Sequence, residues 1–409
     1  MHASFLSRSD HHNPTSSIIS VSYAHFTHST LCSLRFYAHI MNLRVLSFLV
    51  TIVVSTGLLW SQSKSSLTVD QNVEDFDFAL KELETSYAGF DTYVNDSTRQ
   101  EYDSIVSTLR QQIETNERSG YDAALFLYSW FDDGHLGMDM GSFRETGKYM
   151  SDRRKFQTYD MIQPYLPEPL SKPATSKTYL MRLPDSDEEI ISIEWIENAI
   201  RDYNTSGCDN LIIDLRSNGG GDERLWHPLL PLMYDHPGTT KSVEFRMSYN
   251  NIEYLKQAAD EFPEAQMILD KFNNIHEDFI LLTDKEDIEI EVPKYDGMKP
   301  RRIAFIIDAN NGSATEELLI QTKAISDRII IYGKENTGGC LDCSSVRESA
   351  LPNSGYPIFI PTARSCRLPN NGIDKTGIAP DVVIPINYPT SITDNIDEWT
   401  LWIANKLEK

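Results

Sequence analysis

The sequence predicts an α/β domain preceded by a small helical N-terminal subdomain, and three observations lead there. Residues 211–215 and 302–308 are apolar runs of strand length, and each breaks off into a polar, glycine-containing loop. From Tyr179 onward, strand-length runs alternate with helix-length segments, the pattern of a sheet covered by helices. Ahead of them, Phe76, Leu80, Leu83 and Tyr87 recur at the spacing of one helix face.

Taken in order, the helix through 76–87, a second over 98–115 and the apolar stretch 121–130 form the subdomain 66–140. Residues 141–178 hold several prolines and no strong period, so they read as a connecting arm. The α/β domain then runs over 179–409. It opens with a strand at 179–183 and a helix over 188–203 that places Ile193, Ile196 and Ile200 on one side. Segment 234–300 is acidic and mixed in pattern, an insertion or lid over the sheet. After the strand 302–308 come a helix at 314–325, strands at 328–333, 356–362 and 382–385, and a closing helix at 397–407.

The 409 residues are 40% hydrophobic and 24% charged, an ordinary globular composition. A formal net charge of −23, with no Lys/Arg cluster, argues against nucleic acid as a partner and fits a well-solvated acidic surface. The N-terminus has another logic. Residues 1–40 show no sustained period, whereas Met41, the basic Arg44, the apolar run 45–60 and Ser61-Gln62-Ser63 read as a signal peptide over 41–63. Residues 1–40 are then not part of the native protein, and the mature chain is exported, periplasmic or extracellular. The apolar run is shorter than the ~20 residues of a comfortable span, so no stable membrane span is expected after cleavage; an uncleaved anchor is the competing reading.

Cys32 falls in the leader, which leaves Cys208, Cys340, Cys343 and Cys366. Cys340 and Cys343 form a CxxC pair, but no second pair stands at ligand spacing, so no metal and no cofactor is expected. Export favours a structural disulfide among Cys340, Cys343 and Cys366, with buried free thiols as the alternative.

Three segments can carry chemistry. Asp214-Leu215-Arg216-Ser217-Asn218-Gly219-Gly220-Gly221 turns a strand end through consecutive glycines, whose N–H groups can converge on an anion. A purely structural turn explains it equally, and it lacks both nucleotide-binding glycine patterns. Ser313, in Asn311-Gly312-Ser313-Ala314-Thr315-Glu316, stands at the mouth of a helix, where unpaired amides suit a nucleophile whose adduct becomes an anion. A capping box between Ser313 and Glu316 also explains it. A serine nucleophile needs a base, and His135 in Asp133-Gly134-His135 is a candidate, although a lone loop histidine is often only surface.

Together these pieces resemble the C-terminal processing (tail-specific) peptidases and the tricorn protease core: DGH, then DLRSNGGG, then GSATEE, then DKTGIAPD. The resemblance covers most of 75–390 and implies a ClpP/crotonase-like α/β catalytic domain. It also implies serine endopeptidase activity on peptides or partly unfolded proteins. Ser313 becomes the nucleophile, with an oxyanion hole from the backbone N–H of Ala314 and of Gly219 or Gly220. Many relatives use a lysine base, but here the corresponding position is a glycine, most simply Gly339, which leaves only Lys334 to swing in. The tricorn-like branch instead implies His135 as base, with Asp374 as the acid that orients it. Asp374 as a turn former is the alternative. Arg216 and Glu316 read as supporting residues and Asp381 as structural. Thirty-eight residues between Met140 and Tyr179 are too few for the PDZ module that relatives often carry. A catalytically inactive peptide- or apolar-ligand-binding protein, as in the retinoid-binding repeats, is the competing function. A crotonase-like acyl-transfer enzyme is a third, without the basic features that CoA needs.

Overall fold

The first helix begins earlier than its apolar period suggests, because Thr68 and Gln71 form a reciprocal capping box ahead of it. The computed structural model describes residues 67–138, 167–260 and 262–409; the leader and most of the connecting arm lie outside the described residues. Helix α1 (Val69–Ser86) packs with α2 (Arg99–Glu114) and α3 (Gly120–Trp130). Phe76, Leu83, Tyr102, Leu109, Leu127 and Phe131 form their shared core. Strand β1 (Gly137–Met138) follows at once.

The α/β part opens with β2 (Leu170–Pro173) and β3 (Thr178–Arg182), then helix α4 (Ile193–Ser206) and β4 (Asn210–Asp214). Ser192 caps α4, which sets its start at Ile193 and not at the expected 188. Segment 234–300 contains β5 (Val243–Arg246), α5 (Tyr249–Ala258), α6 (Pro263–Ile275) and β6 (Phe279–Leu281). Beyond it come β7 (Arg302–Ile306), α7 (Ala314–Ile325), β8 (Ile329–Gly333), β9 (Cys343–Ala350), β10 (Pro357–Ser365), β11 (Val382–Val383) and α8 (Glu398–Leu407). No helix among the described residues is long and apolar enough to cross a membrane.

The main sheet has the order β11-β8-β7-β4-β3-β2, parallel except for β2. Its central strands are apolar on both faces because both faces are covered. Met181, Ile213, Phe305 and Ile331 lie on one side with Ile196, Leu318 and Leu319; Leu180, Ile212, Ala304 and Ile306 lie on the other with Trp399 and Ile403.

A second, antiparallel sheet has the order β1-β10-β5-β6, with β9 also paired to β10. Its Cys343, Ile358 and Ile360 bury against the N-terminal helices. The pairing of Gly137 with Phe359 and Met138 with Ile358 therefore fixes the loop just upstream, which carries His135. Strands from 234–300 thus extend this second sheet rather than only lying over the first.

Candidate active site

The glycine loop begins at the carboxyl end of β4, where α/β sheets present their sites. Buried Arg216 anchors it, with Nε 2.8 Å from Asp214 Oδ1 and Nη2 2.8 Å from Asp214 Oδ2 and 2.6 Å from Asp397 Oδ2. The guanidinium also lies 5.4 Å over the Trp399 ring. Asn218 ties the loop to its neighbours. Its Nδ2 donates to Leu183 O at 2.8 Å, and its Oδ1 accepts from Ser186 Oγ at 2.9 Å, Gly220 N at 2.9 Å and Thr315 Oγ1 at 2.8 Å. Asn311 ties in the second loop, donating from Nδ2 to Leu215 O at 2.5 Å and Asn218 O at 3.0 Å.

These bonds bring the two loops into contact. Gly220 has φ +96, and a Cβ placed there would fall 2.6 Å from Gly312 O, 2.6 Å from Ser313 Cβ and 3.0 Å from Ala314 N. Only glycine fits so close an approach. The Gly220 N–H is engaged by Asn218, whereas neither Gly219 N–H nor Ala314 N–H makes a backbone hydrogen bond among the described residues.

Ser313 precedes α7 with φ 53 and ψ −126 and makes no side-chain capping bond. A non-glycine residue there carries strain of about 1–3 kcal/mol, which collects at functional sites. The capping-box explanation fails for a second reason: Glu316 turns elsewhere. Its buried carboxylate accepts from Thr337 Oγ1, from Gly339 N at 2.9 Å and from Cys340 N at 2.9 Å. Burial pushes its pKa up against the lowering effect of these bonds. Glu316 thereby holds segment 337–340, whose Cys340 carbonyl accepts the Ser313 N–H at 2.7 Å.

Cys340 also reaches the N-terminal part. Its Sγ lies 3.4 Å from His135 Nδ1 and 3.8 Å from Nε2. One residue therefore touches both the proposed nucleophile and the proposed base, which are 178 positions apart in sequence. Asp374 belongs to the same neighbourhood: Oδ1 accepts from Leu341 N at 2.7 Å and Asp342 N at 2.8 Å, and buried Oδ2 has no hydrogen bond in the protein. Burial, then the charges of Asp133 and Asp342, hold its carboxyl well above the usual carboxylate range.

Lys334 points elsewhere. Its ammonium lies 5.2 Å from the Tyr388 ring, which packs at a tilt against Trp399, on the sheet face opposite α7. Gly339, at the position where the resemblance leads us to expect lysine, has φ +69, and a Cβ there would meet Gly377 N and Ile373 O at 2.8 Å. No side chain fits that gap. The expected disulfide is absent: Cys208, Cys340, Cys343 and Cys366 are all free, with Cys340 turned toward His135 and Cys343 buried near Tyr87. Asp381 pairs with Lys323 at 2.9 Å and accepts from Ile331 N at 2.8 Å, a structural role.

Asn218, Asn311, Thr315 and Thr337 escaped sequence reading. The first three lie within a quoted motif and Thr337 two positions before Gly339, but amide and hydroxyl partners across loops leave no spacing pattern.

The model for peptidase family S41 matches residues 179–384, half of the chain. No curated protein matches. Among solved structures, a point mutant of CPAF aligns with TM-score 0.56 at 11% identity, over 84% of this chain and 97% of its own. Mature CPAF complexed with lactacystin aligns with TM-score 0.53 at 12% identity, over 83% and 97%. A structure from Parabacteroides merdae ATCC 43184 aligns with TM-score 0.52 at 15% identity, over 77% and 90%. At such identities these likenesses show the fold.

Proposed function

Because the chain belongs to peptidase family S41, we propose that it cleaves peptide bonds as a serine endopeptidase, with Ser313 as nucleophile and His135 as base. The supporting observation is the strained Ser313 at the mouth of α7, joined through Cys340 to His135. Ser313 Oγ attacks the scissile carbonyl carbon while its proton passes to the His135 ring. The tetrahedral oxyanion is met by the N–H groups of Ala314 and Gly219, and Gly220 shapes the loop instead of donating. His135 then returns the proton to the leaving amine, and water hydrolyses the acyl-enzyme by the reverse sequence. Asp374 is the proposed acid of the triad, its unbonded Oδ2 being an acceptor for the imidazolium. The substrates are peptides or partly unfolded proteins met outside the cell, an assignment that rests on the 41–63 leader.

The test is a fluorophosphonate probe on the purified protein. Wild type should label and Ser313→Ala should not. Labelling that survives Ser313→Ala refutes the nucleophile, and an unlabelled wild type with a bound peptide or apolar ligand favours the inactive binding protein.

A further inference from the structure

Three donor side chains from three distant segments converge beside the His135 loop. Asp133 follows α3, Cys343 opens β9 and Asp374 lies in the loop before β11; one ligand atom of each stands within 4.8 Å of the other two. Asp133 and Cys343 are buried. Asp374 carries a buried Oδ2 that has no hydrogen bond in the protein. Around them, Tyr87 Oη donates to Asp133 Oδ2 at 2.7 Å, His135 N donates to Asp133 Oδ1 at 2.8 Å, and Tyr87 Oη lies 3.9 Å from Cys343 Sγ. No Lys or Arg among the described residues forms an ion pair with any of the three. Burial first, then Asp133 and Asp374, pushes the Cys343 thiol well up, and burial, then Asp133 and Asp342, raises Asp374. Buried anions are stable when they coordinate a cation, and otherwise they stay protonated.

We propose that Asp133, Cys343 and Asp374 form a binding site for a divalent cation of intermediate softness, Zn²⁺ being the best match. A thiolate excludes the all-oxygen preference of Mg²⁺ and Ca²⁺, while two carboxylates and one thiolate suit zinc with its fourth position open. The CxxC spacing did not reveal this site because only Cys343 of that pair takes part, and the other ligands come from segments far away in sequence. Zinc bonds of about 2.0–2.3 Å put tetrahedral donors under ~4 Å apart, so the trio closes by about 1 Å on binding. Binding replaces the S–H proton of Cys343 with a metal–sulfur bond and releases that proton to solvent, so affinity rises with pH. The ion also takes Asp374, the carboxylate proposed to orient His135, so metal and triad compete for one side chain.

The experiment is a titration of the full chain with Co²⁺, followed by displacement with Zn²⁺. One equivalent of Co²⁺ should bind with a thiolate-to-cobalt charge-transfer band. The band should vanish in Cys343→Ser, weaken at least about tenfold in affinity in Asp133→Asn, and persist in Cys340→Ser. Absence of saturable binding, or a band that survives Cys343→Ser, overturns the site. A band lost only in Cys340→Ser would place the ion on Cys340 and His135 and overturn it too. Should Cys343→Ser not fold, zinc X-ray absorption on the wild type decides: one sulfur near 2.3 Å is expected, and a shell without sulfur refutes the site. None of these readouts depends on peptidase activity, so failure here leaves the fluorophosphonate result standing.

Discussion

Replacing Gly220 by alanine should disable the site, while the same change at Gly219 should leave the fold intact. At Gly220 the new methyl would lie 2.6 Å from both Gly312 O and Ser313 Cβ and 3.0 Å from Ala314 N. Unstrained contacts sit at about 3.5–4.0 Å, so the loops must part by about 1 Å. The φ of +96 adds a backbone cost of about 1–2 kcal/mol for any L side chain. Overpacking adds about 1–3 kcal/mol, which brings the loss of stability to about 2–5 kcal/mol. A displacement of about 1 Å between Ser313 and the glycine loop costs about 100-fold in rate. At Gly219 the nearest atom to a new Cβ is Asn310 O at 3.8 Å, an ordinary contact. Stability there should change by no more than about 0.5 kcal/mol. Thermal unfolding and kcat/KM on an unfolded protein substrate, measured for both variants side by side, check this. Full activity in Gly220→Ala, or equal destabilisation in Gly219→Ala, would refute the idea that the two loops are locked edge to edge.

Further predictions concern the charged groups. Asp374→Asn keeps an acceptor for the Leu341 and Asp342 amides and removes a carboxyl whose folded pKa is raised. A raised carboxyl favours the fold below its unfolded pKa and loses that benefit as pH rises through the folded value. The variant should therefore gain in melting temperature relative to wild type as pH goes from acid to neutral, while kcat falls; a difference independent of pH would count against the buried acid. Lys334→Ala should keep kcat/KM within about twofold, whereas His135→Ala should lose at least about 1,000-fold; the opposite ranking restores a lysine dyad. Arg216→Ala removes the buried guanidinium that Asp214 and Asp397 share, although Arg182 still pairs with Asp214, and should cost about 3–5 kcal/mol, read by denaturant unfolding.

How much of this was legible follows from the range of each interaction. Residues 211–215 and 302–308 announced themselves because parallel strands covered on both faces are continuous apolar runs. Strand β9 did not: Cys343–Ala350 mixes buried and exposed positions along one edge of β10. The strands of 234–300 were hidden in the same way, since they earn their place by pairing with β10 and with each other. Ser313 was readable from its own surroundings, but the capping-box reading was too. Only the path of Glu316 to segment 337–340 separated the two.

The sequence by itself determined the alternation of strands and helices, the glycine loops at two strand ends, and the serine between them. All of these are local patterns of hydrophobicity and backbone freedom. Tertiary structure alone decided what stands beside that serine. The pairing of β1 with β10 brings His135 to Cys340, the left-handed Gly339 pressed on the 373–377 loop leaves no room for a lysine, and three segments distant in sequence set Asp133, Cys343 and Asp374 together. Such neighbours are chosen by the closing of long loops around two sheets, and sequence spacing carries no trace of that closure.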